Sequence, residues 1–381
     1  MRIALDARTV YRPIRHGTGK NLIDLYTHLA ALRPDWRVVA YHRETGEADA
    51  LLPAPMVEPR RIEMIGDRFD AWDRWRLPLA AWRDGATLLH CPANICPTWV
   101  PVNTVVTIHD LIPLDLPRGR QPSQIRRFEQ SVRFAAQRAA WIICPSRYTR
   151  DRLVSEFGAD GDRVTVNAWA ADSAMHYVEP GQSALIAARY DVDRPYVLHF
   201  GARNPRKNTA RVLSAWSQLD AALRRDWRLL VVGLDDRMLA SMRTHAAELG
   251  VDDSVRLHPF ADEADLPALL SGAQVLCYPS LSEGFGLPIL DAWTTGTAVL
   301  TSNATSLPEV AEDGAVLIDP TDTAAIVAGL TQLMQSEDLR HHLHARGRML
   351  LGKYTWRNTA DRFAQAMEAA AGLTSPRSLA A

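Results

Sequence analysis

Two successive series of short apolar runs, with helical stretches between them, constrain this chain more than any other feature. The first series is "RIALDA", "WRVVAYH", "TLLHCP", "TVVTIHD" and "WIICPS", each closed by polar residues, Gly or Pro. Stretches of helical pattern, such as 19–32 and 123–140, fall between these runs. Runs this short, alternating with helices, predict an open and mainly parallel α/β sheet. The alternation pauses at "HYVEPGQSALIAARYDVDRP", 176–195, where Pro180, Gly181 and Pro195 punctuate a polar connection. It restarts with "YVLHFG", "RLLVVG", "VRLHPF", "AQVLCYPS", "TAVLTS" and "GAVLID". A length of 381 residues suits two domains of this kind. The expected bounds are 1–178, a linker over 179–194, and 195–359, with the final stretch, from about 360 to 381, able to join either domain. Ligands of doubly wound sheets bind at the carboxyl ends of the strands, so a cleft between the domains is the expected site.

Composition excludes several classes. A net charge of -1 gives no general attraction to nucleic acid. Cys91, Cys96, Cys144 and Cys277 are too few for a disulfide framework at this length, and no second pair or His cluster completes a zinc site, so they read as reduced core thiols. The opening "RIALDA" reads as a strand rather than a signal peptide. No apolar run approaches the ~20 residues that span a bilayer. A cytoplasmic location follows as the expectation, with contact at the inner face of the membrane left open.

The densest chemistry lies in "SEGFGLPILDAW", 282–293. Gly284, Phe285, Gly286 and Leu287 follow the strand "VLCYP" and lead into a helix starting near Pro288. Glycines let backbone approach a ligand, and free amides at a helix start attract phosphate. Glu283 cannot serve phosphate, because like charges repel; it suits hydroxyls beside the phosphate. Asp291, about one turn into the helix, could reach a second diol or could simply favour the positive helix end. A diphosphate between two polyols is a nucleotide-sugar.

The stretch "PSLSEGFGLPILDAWTTGTAVLTSNATSLPEVAEDGAVLIDP" resembles the C-terminal signature of retaining GT-B glycosyltransferases of family 4. In that family an acid–x7–acid motif holds the donor, the first acid at the transferred sugar and the second at the ribose. The resemblance therefore implies these roles for Glu283 and Asp291, the latter standing where Glu is usual. "LHFGARNPRKNTARVLSAWSQL" is similar to the family's phosphate-clamping segment after Gly201. Only three of the 43 basic residues are lysines, which singles out Lys207; its arginine partner is Arg203 or Arg206. "RLHPF", ending at Phe260, resembles the segment that edges the nucleobase. "RHGTGKN" lacks the third glycine of a dinucleotide fingerprint and the ending of a phosphate loop. The family likeness nonetheless puts Gly17 and Gly19 beside the donor phosphates, and His109 of "VTIHDLIP" in a positioning role near the reacting sugar. "VNAWAADSAM", 166–175, carries no assigned function.

The resemblance implies a GT-B fold of two Rossmann-like domains facing a central cleft, the last helix crossing back to the first. It implies transfer of a hexosyl group, a mannosyl group being one candidate, from a nucleoside-diphosphate sugar with retained configuration. The acceptor would be a saccharide or lipid-linked saccharide, as in surface polysaccharide assembly. No metal cofactor is expected; the D-x-D at Asp191–Asp193 falls in the connection. A glycoside hydrolase, an NAD-dependent oxidoreductase and a non-catalytic nucleotide-sugar or glycan binder are the rival readings. Residues 117–138 carry six arginines against Glu129 alone, with Phe128, Val132 and Phe134 interleaved. Such a helix suits anionic lipid, an anionic acceptor or plain solvent. "FDAWDRWRLPLAAW", from 69 to 82, is expected to pack in the core.

Overall fold

The computed structural model describes residues 1–12, 17–43, 51–63, 71–117 and 120–373. Two compact units divide the chain: Met1–Ala170 with Thr355–Ala381, and Ala171–Tyr354.

The first unit has seven strands: β1 (Arg2–Asp6), β2 (Arg37–His42), β3 (Val57–Arg61), β4 (Leu88–Cys91), β5 (Asn103–Thr107), β6 (Trp141–Cys144) and β7 (Val164–Val166). The five apolar runs form β1, β2, β4, β5 and β6, while β3, "VEPRR", and the three-residue β7 were not anticipated. Their order is β3-β2-β1-β4-β5-β6-β7, every pair parallel. Central strands such as β4 and β6 are buried along their whole length, as parallel strands covered on both faces must be. Ala4, Val39, Leu89, Val106 and Ile142 form one core face with Trp72, Leu77 and Val132 from the covering segments.

The last helix, Trp356–Ala370, belongs to this unit. Phe363 packs 5.0 Å from the His90 ring and 5.9 Å from Tyr26 of the helix Gly17–Leu32. Thr359 donates to the Ala168 carbonyl at 2.8 Å, and Arg33 pairs with Glu368 at 2.7 Å. The expected return of the C-terminal helix to the first domain is therefore observed. Residues 374–381 lie outside the described residues.

The second unit has six strands: β8 (Tyr196–Phe200), β9 (Arg228–Val232), β10 (Val255–Leu257), β11 (Val275–Tyr278), β12 (Ala298–Ser302) and β13 (Val316–Ile318). Their order, β10-β9-β8-β11-β12-β13, is again wholly parallel. Two such sheets are the pair of Rossmann-like units expected for GT-B. Residues 179–194 carry the helix Pro180–Ala188, which lies within the second unit. Small residues allow it to dock: a side chain on Gly272 would meet Ser183 at 3.4 Å. Arg189 and Tyr190 then both bind Asp265, at 3.0 and 2.8 Å.

One side-chain expectation needs correction. Of the tryptophans in 69–82, Trp72 is fully buried, but Trp75 and Trp82 are 61% and 57% exposed. A turn that widens here keeps Trp72 and Asp73 inward and sends Trp75 out. The basic segment forms the helix Pro122–Arg138, whose Val132 is buried and whose Phe128 and Phe134 pack against the core. These apolar residues are thus used internally, and the exposed positions are mainly arginines, glutamines and other polar residues. All four cysteines are buried and unpaired, as read from the sequence.

Candidate active site

In the second unit the strand order reverses between β8 and β11, with β9 and β10 to one side and β12 and β13 to the other. Crossovers leave in opposite directions at such a point, opening a crevice at the carboxyl ends of the two strands. The two segments singled out from the sequence begin there. Gly201–Asn208 follows β8, and Pro279–Gly286 follows β11.

Lys207 and Glu283 meet in that crevice. The Lys207 ammonium donates to Glu283 Oε1 at 2.9 Å and to the Tyr278 hydroxyl at 3.1 Å. It also lies 4.4 Å from the Tyr278 ring centroid. Arg206 forms a second ion pair with the same Glu283 oxygen. Burial alone would raise the Glu283 pKa, but the adjacent Lys207 and Arg206 charges and the Tyr278 hydroxyl outweigh it and hold the carboxyl at about 2. Burial lowers the Lys207 pKa, and Arg206 adds to that effect. Two cations on one carboxylate leave an excess positive charge in a crevice shielded from water. Arg203 does not join this group: its side chain is 85% exposed, with Asp235 at 3.8 Å. The structure thus brings Arg206, not Arg203, to Glu283.

Several residues that the sequence reading missed hold these groups in place. Asn208 has a left-handed backbone, φ 66°, and donates to the carbonyls of Pro279 and Pro320 at 3.1 and 2.7 Å. Buried His199, on β8, sits 2.8 Å from the Cys277 carbonyl. A carbonyl only accepts, so Nδ1 carries the proton and Nε2 accepts from Thr209 at 3.0 Å. His199 therefore ties the strand before Glu283 to the loop carrying Lys207. Thr305 accepts from the Glu283 amide at 3.2 Å, and Ser306 donates to the carbonyls of Glu283 and Phe285, both at 2.9 Å. His199, Asn208, Thr209, Thr305 and Ser306 lie inside the stretches singled out from the sequence but carried no role of their own there, and Tyr278 reads as a strand residue like its neighbours.

The helix after the glycine turn runs Leu287–Thr295 and is preceded by Gly286 at φ 127°. A side chain there would strain the backbone and meet Leu307 at 2.8 Å, so glycine is required by geometry. Ser282, Gly284 and Phe285 are buried, while Leu287 is half-buried. Asp291 accepts from the Asp172 amide at 3.1 Å. That bond gives the stretch 166–175 a contact the sequence did not suggest. Gly201 is closely packed, since a Cβ would come within 2.6 Å of the Leu234 side chain. Phe260 stands 72% exposed just beyond β10.

Sequence comparisons identify the family. Residues 16–168 match the family described as "Glycosyltransferase Family 4", and residues 186–349 match "Glycosyl transferases group 1". The O-antigen chain mannosyltransferase B of Escherichia coli is 30% identical over 258 residues, which cover 67% of each chain. The chain belongs to glycosyltransferase family 4. The members of this family are retaining hexosyltransferases. A serotype-specific mannosyltransferase, WbdA, of the same organism is 28% identical over 266 residues, 68% of this chain. This chain spans about a third of that relative's length, 33%. Among solved structures, sucrose-phosphate synthase from Thermosynechococcus elongatus superposes with a TM-score of 0.78 at 19% identity, over 98% of this chain and 100% of that one. That likeness supports the fold.

The first unit of this glycosyltransferase carries the remaining residues singled out from the sequence. Gly17 opens the helix Gly17–Leu32 with open space around it, and Gly19 is buried in the first turn; Arg15 and His16 lie outside the described residues. His109 follows β5. Its Nε2 is 2.6 Å from the Pro92 carbonyl and must carry the proton there. Its amide donates to Asn94 Oδ1 at 2.6 Å, and its ring stacks on Trp169 at 5.8 Å. Burial lowers its pKa, against a raising effect of the Pro92 bond, so the ring is neutral at pH 7.

Among the described residues no helix is long and apolar enough to cross a membrane.

Proposed function

We propose that this glycosyltransferase moves a mannosyl group from a nucleoside-diphosphate sugar to a hydroxyl of a saccharide or lipid-linked saccharide in surface polysaccharide assembly. The observation that carries the reading is the convergence of Lys207, Arg206 and Glu283 at the switch point of the second sheet. The mannosyl choice rests on the mannosyltransferase relatives.

In this reading the diphosphate takes over Lys207 and Arg206 from Glu283. The two cations, the amides of Gly284–Leu287 and the helix start then stabilise the charge that develops on the leaving phosphate. Glu283, released from its ion pairs, accepts hydrogen bonds from the hydroxyls of the transferred sugar. The acceptor hydroxyl attacks from the same face that the diphosphate leaves. A departing phosphate oxygen takes its proton, so configuration is retained without a protein base. Asp291 faces the ribose, Phe260 the nucleobase, and His109 positions the sugar. The Arg-rich helix Pro122–Arg138 offers anionic lipid headgroups charge alone, because its apolar residues are in the core.

Thermal stabilisation by GDP-mannose, UDP-glucose and UDP-GlcNAc tests the donor. A ligand at a hundred times its Kd adds about 2.7 kcal/mol of stability. GDP-mannose should raise Tm most and yield an α-mannoside with an added saccharide acceptor. Stabilisation by a different donor would overturn the mannosyl assignment. Release of sugar from a simple glycoside lacking a nucleotide would overturn the transferase mechanism.

A further inference from the structure

We propose that Trp75 and Trp99 form a stacking platform for an extended saccharide, an outer acceptor subsite on the first unit that binds sugar residues remote from the reacting hydroxyl. This rests on the saccharide-acceptor reading above. The two rings face each other at 6.0 Å between centroids and 40° between planes, and they are 61% and 39% exposed. Single exposed apolar residues are ordinary, but two indoles from separate segments held side by side in water need a reason.

Both are held firmly from behind. Trp75 lies in a π-helical turn, Trp72–Arg76, in which the Leu77 amide reaches back to the Trp72 carbonyl. Such turns are uncommon and occur frequently at functional sites. Asp73 of the same turn binds Arg8 at 2.5 Å, and Arg8 lies 5.0 Å from the centroid of the buried Trp72 ring. Arg8 also binds Asp6, the last residue of β1. Trp99 sits in the segment that leaves β4, anchored where the Cys96 amide donates to Ser131 at 2.9 Å. A platform ordered in advance loses little entropy on binding.

Its position fits an acceptor. The first sheet reverses its strand order between β1 and β4; the segment bearing Trp99 leaves β4, and Arg8, which follows β1, holds the turn bearing Trp75 through Asp73. The segment bearing Trp99 begins at Pro92, which receives the His109 ring proton. Trp99 lies seven positions beyond Pro92, a reach of at most about 24 Å. That is the scale of a short oligosaccharide extending from a hydroxyl near His109. A pyranose ring is amphipathic in the required sense: its C–H face lies on an indole while its hydroxyls stay in water. The exposed Arg74 beside Trp75 offers those hydroxyls a donor.

The test compares Trp75→Ala, Trp99→Ala and Trp75→Phe with the unaltered full chain, using acceptors of one to six sugar residues. For the alanine variants, acceptor KM should rise about tenfold with tetrasaccharide or longer acceptors. The rise should be at least about fivefold greater than with a monosaccharide, and Trp75→Phe should recover most of it. Equal losses at every acceptor length, or no loss, would overturn the platform. So would a defect confined to binding phosphatidylglycerol vesicles, which would assign the pair to a membrane surface. A parallel titration of tryptophan fluorescence with manno-, gluco- and galacto-oligosaccharides needs no turnover. A length-dependent change lost in Trp99→Ala would support the platform even if the transfer reading failed; silence with all three series would reject it.

Discussion

Replacing Lys207 by Met separates the catalytic reading of the crevice from a purely structural one. The ammonium lies 2.9 Å from Glu283 Oε1, and both side chains are nearly buried. At an effective dielectric of about 20, two unit charges at that distance attract by about 6 kcal/mol before desolvation is counted. Removing one partner of a buried pair costs roughly 3–5 kcal/mol. Here the loss should fall at the lower end of that range, because Arg206 still neutralises Glu283. The double variant Lys207→Met/Glu283→Gln removes the stranded charge and should recover part of the lost stability, giving a measurable coupling energy.

Activity should behave differently. If the lysine meets the leaving diphosphate, its loss should lower kcat by roughly 10²–10³-fold, as removal of one preorganised donor does elsewhere. The double variant should be no more active than the single one. Urea unfolding supplies the stabilities, and initial rates at saturating donor, well below Tm, supply kcat. A Lys207→Met protein that loses stability yet keeps more than about a third of its kcat would refute the reasoning. Lys207 would then be an ion-pair partner with no contact to the reacting phosphate.

Two further predictions concern charge. The Glu283 carboxyl is held at about 2 against an ordinary value of 4.5, so the native state binds fewer protons than the unfolded chain between those pH values. Its contribution, on the order of 3 kcal/mol, should be present above pH 4.5 and be lost as pH falls toward 2. Glu283→Gln should flatten the acid limb of stability against pH, and an unchanged limb would contradict the pairing. On the helix Pro122–Arg138 and just before it, Arg126 and Arg120 are exposed. Binding to anionic vesicles should weaken by about 30-fold in Arg120→Gln/Arg126→Gln, at about 1 kcal/mol per charge. It should also fall steeply with salt; salt-insensitive binding would mean that apolar insertion dominates after all.

The strands were legible because a strand covered on both faces must be apolar along its length, and runs such as "RLLVV" and "WIIC" satisfy that locally. The glycine turn was legible for a similar reason: Gly286 adopts a backbone that other residues resist. Tryptophans at 72, 75 and 82 could not be sorted by pattern, because a π-helical turn breaks the periodicity that assigns faces. The amphipathic pattern of 122–138 was real, but the same pattern serves a core or a membrane. Only the position of Phe128 and Phe134 against the first sheet decided between them.

What the sequence by itself determined was the alternation of strands and helices, the placing of chemistry in the segments after β8 and β11, and the family. These follow from local backbone preferences and short motifs. The tertiary structure decided that Arg206 rather than Arg203 reaches Glu283, that Tyr278 and His199 brace the group, and that Trp75 meets Trp99. Each is a meeting of residues from separate strands or segments. Such meetings are set by strand order and side-chain direction, for which adjacency in sequence carries no signal.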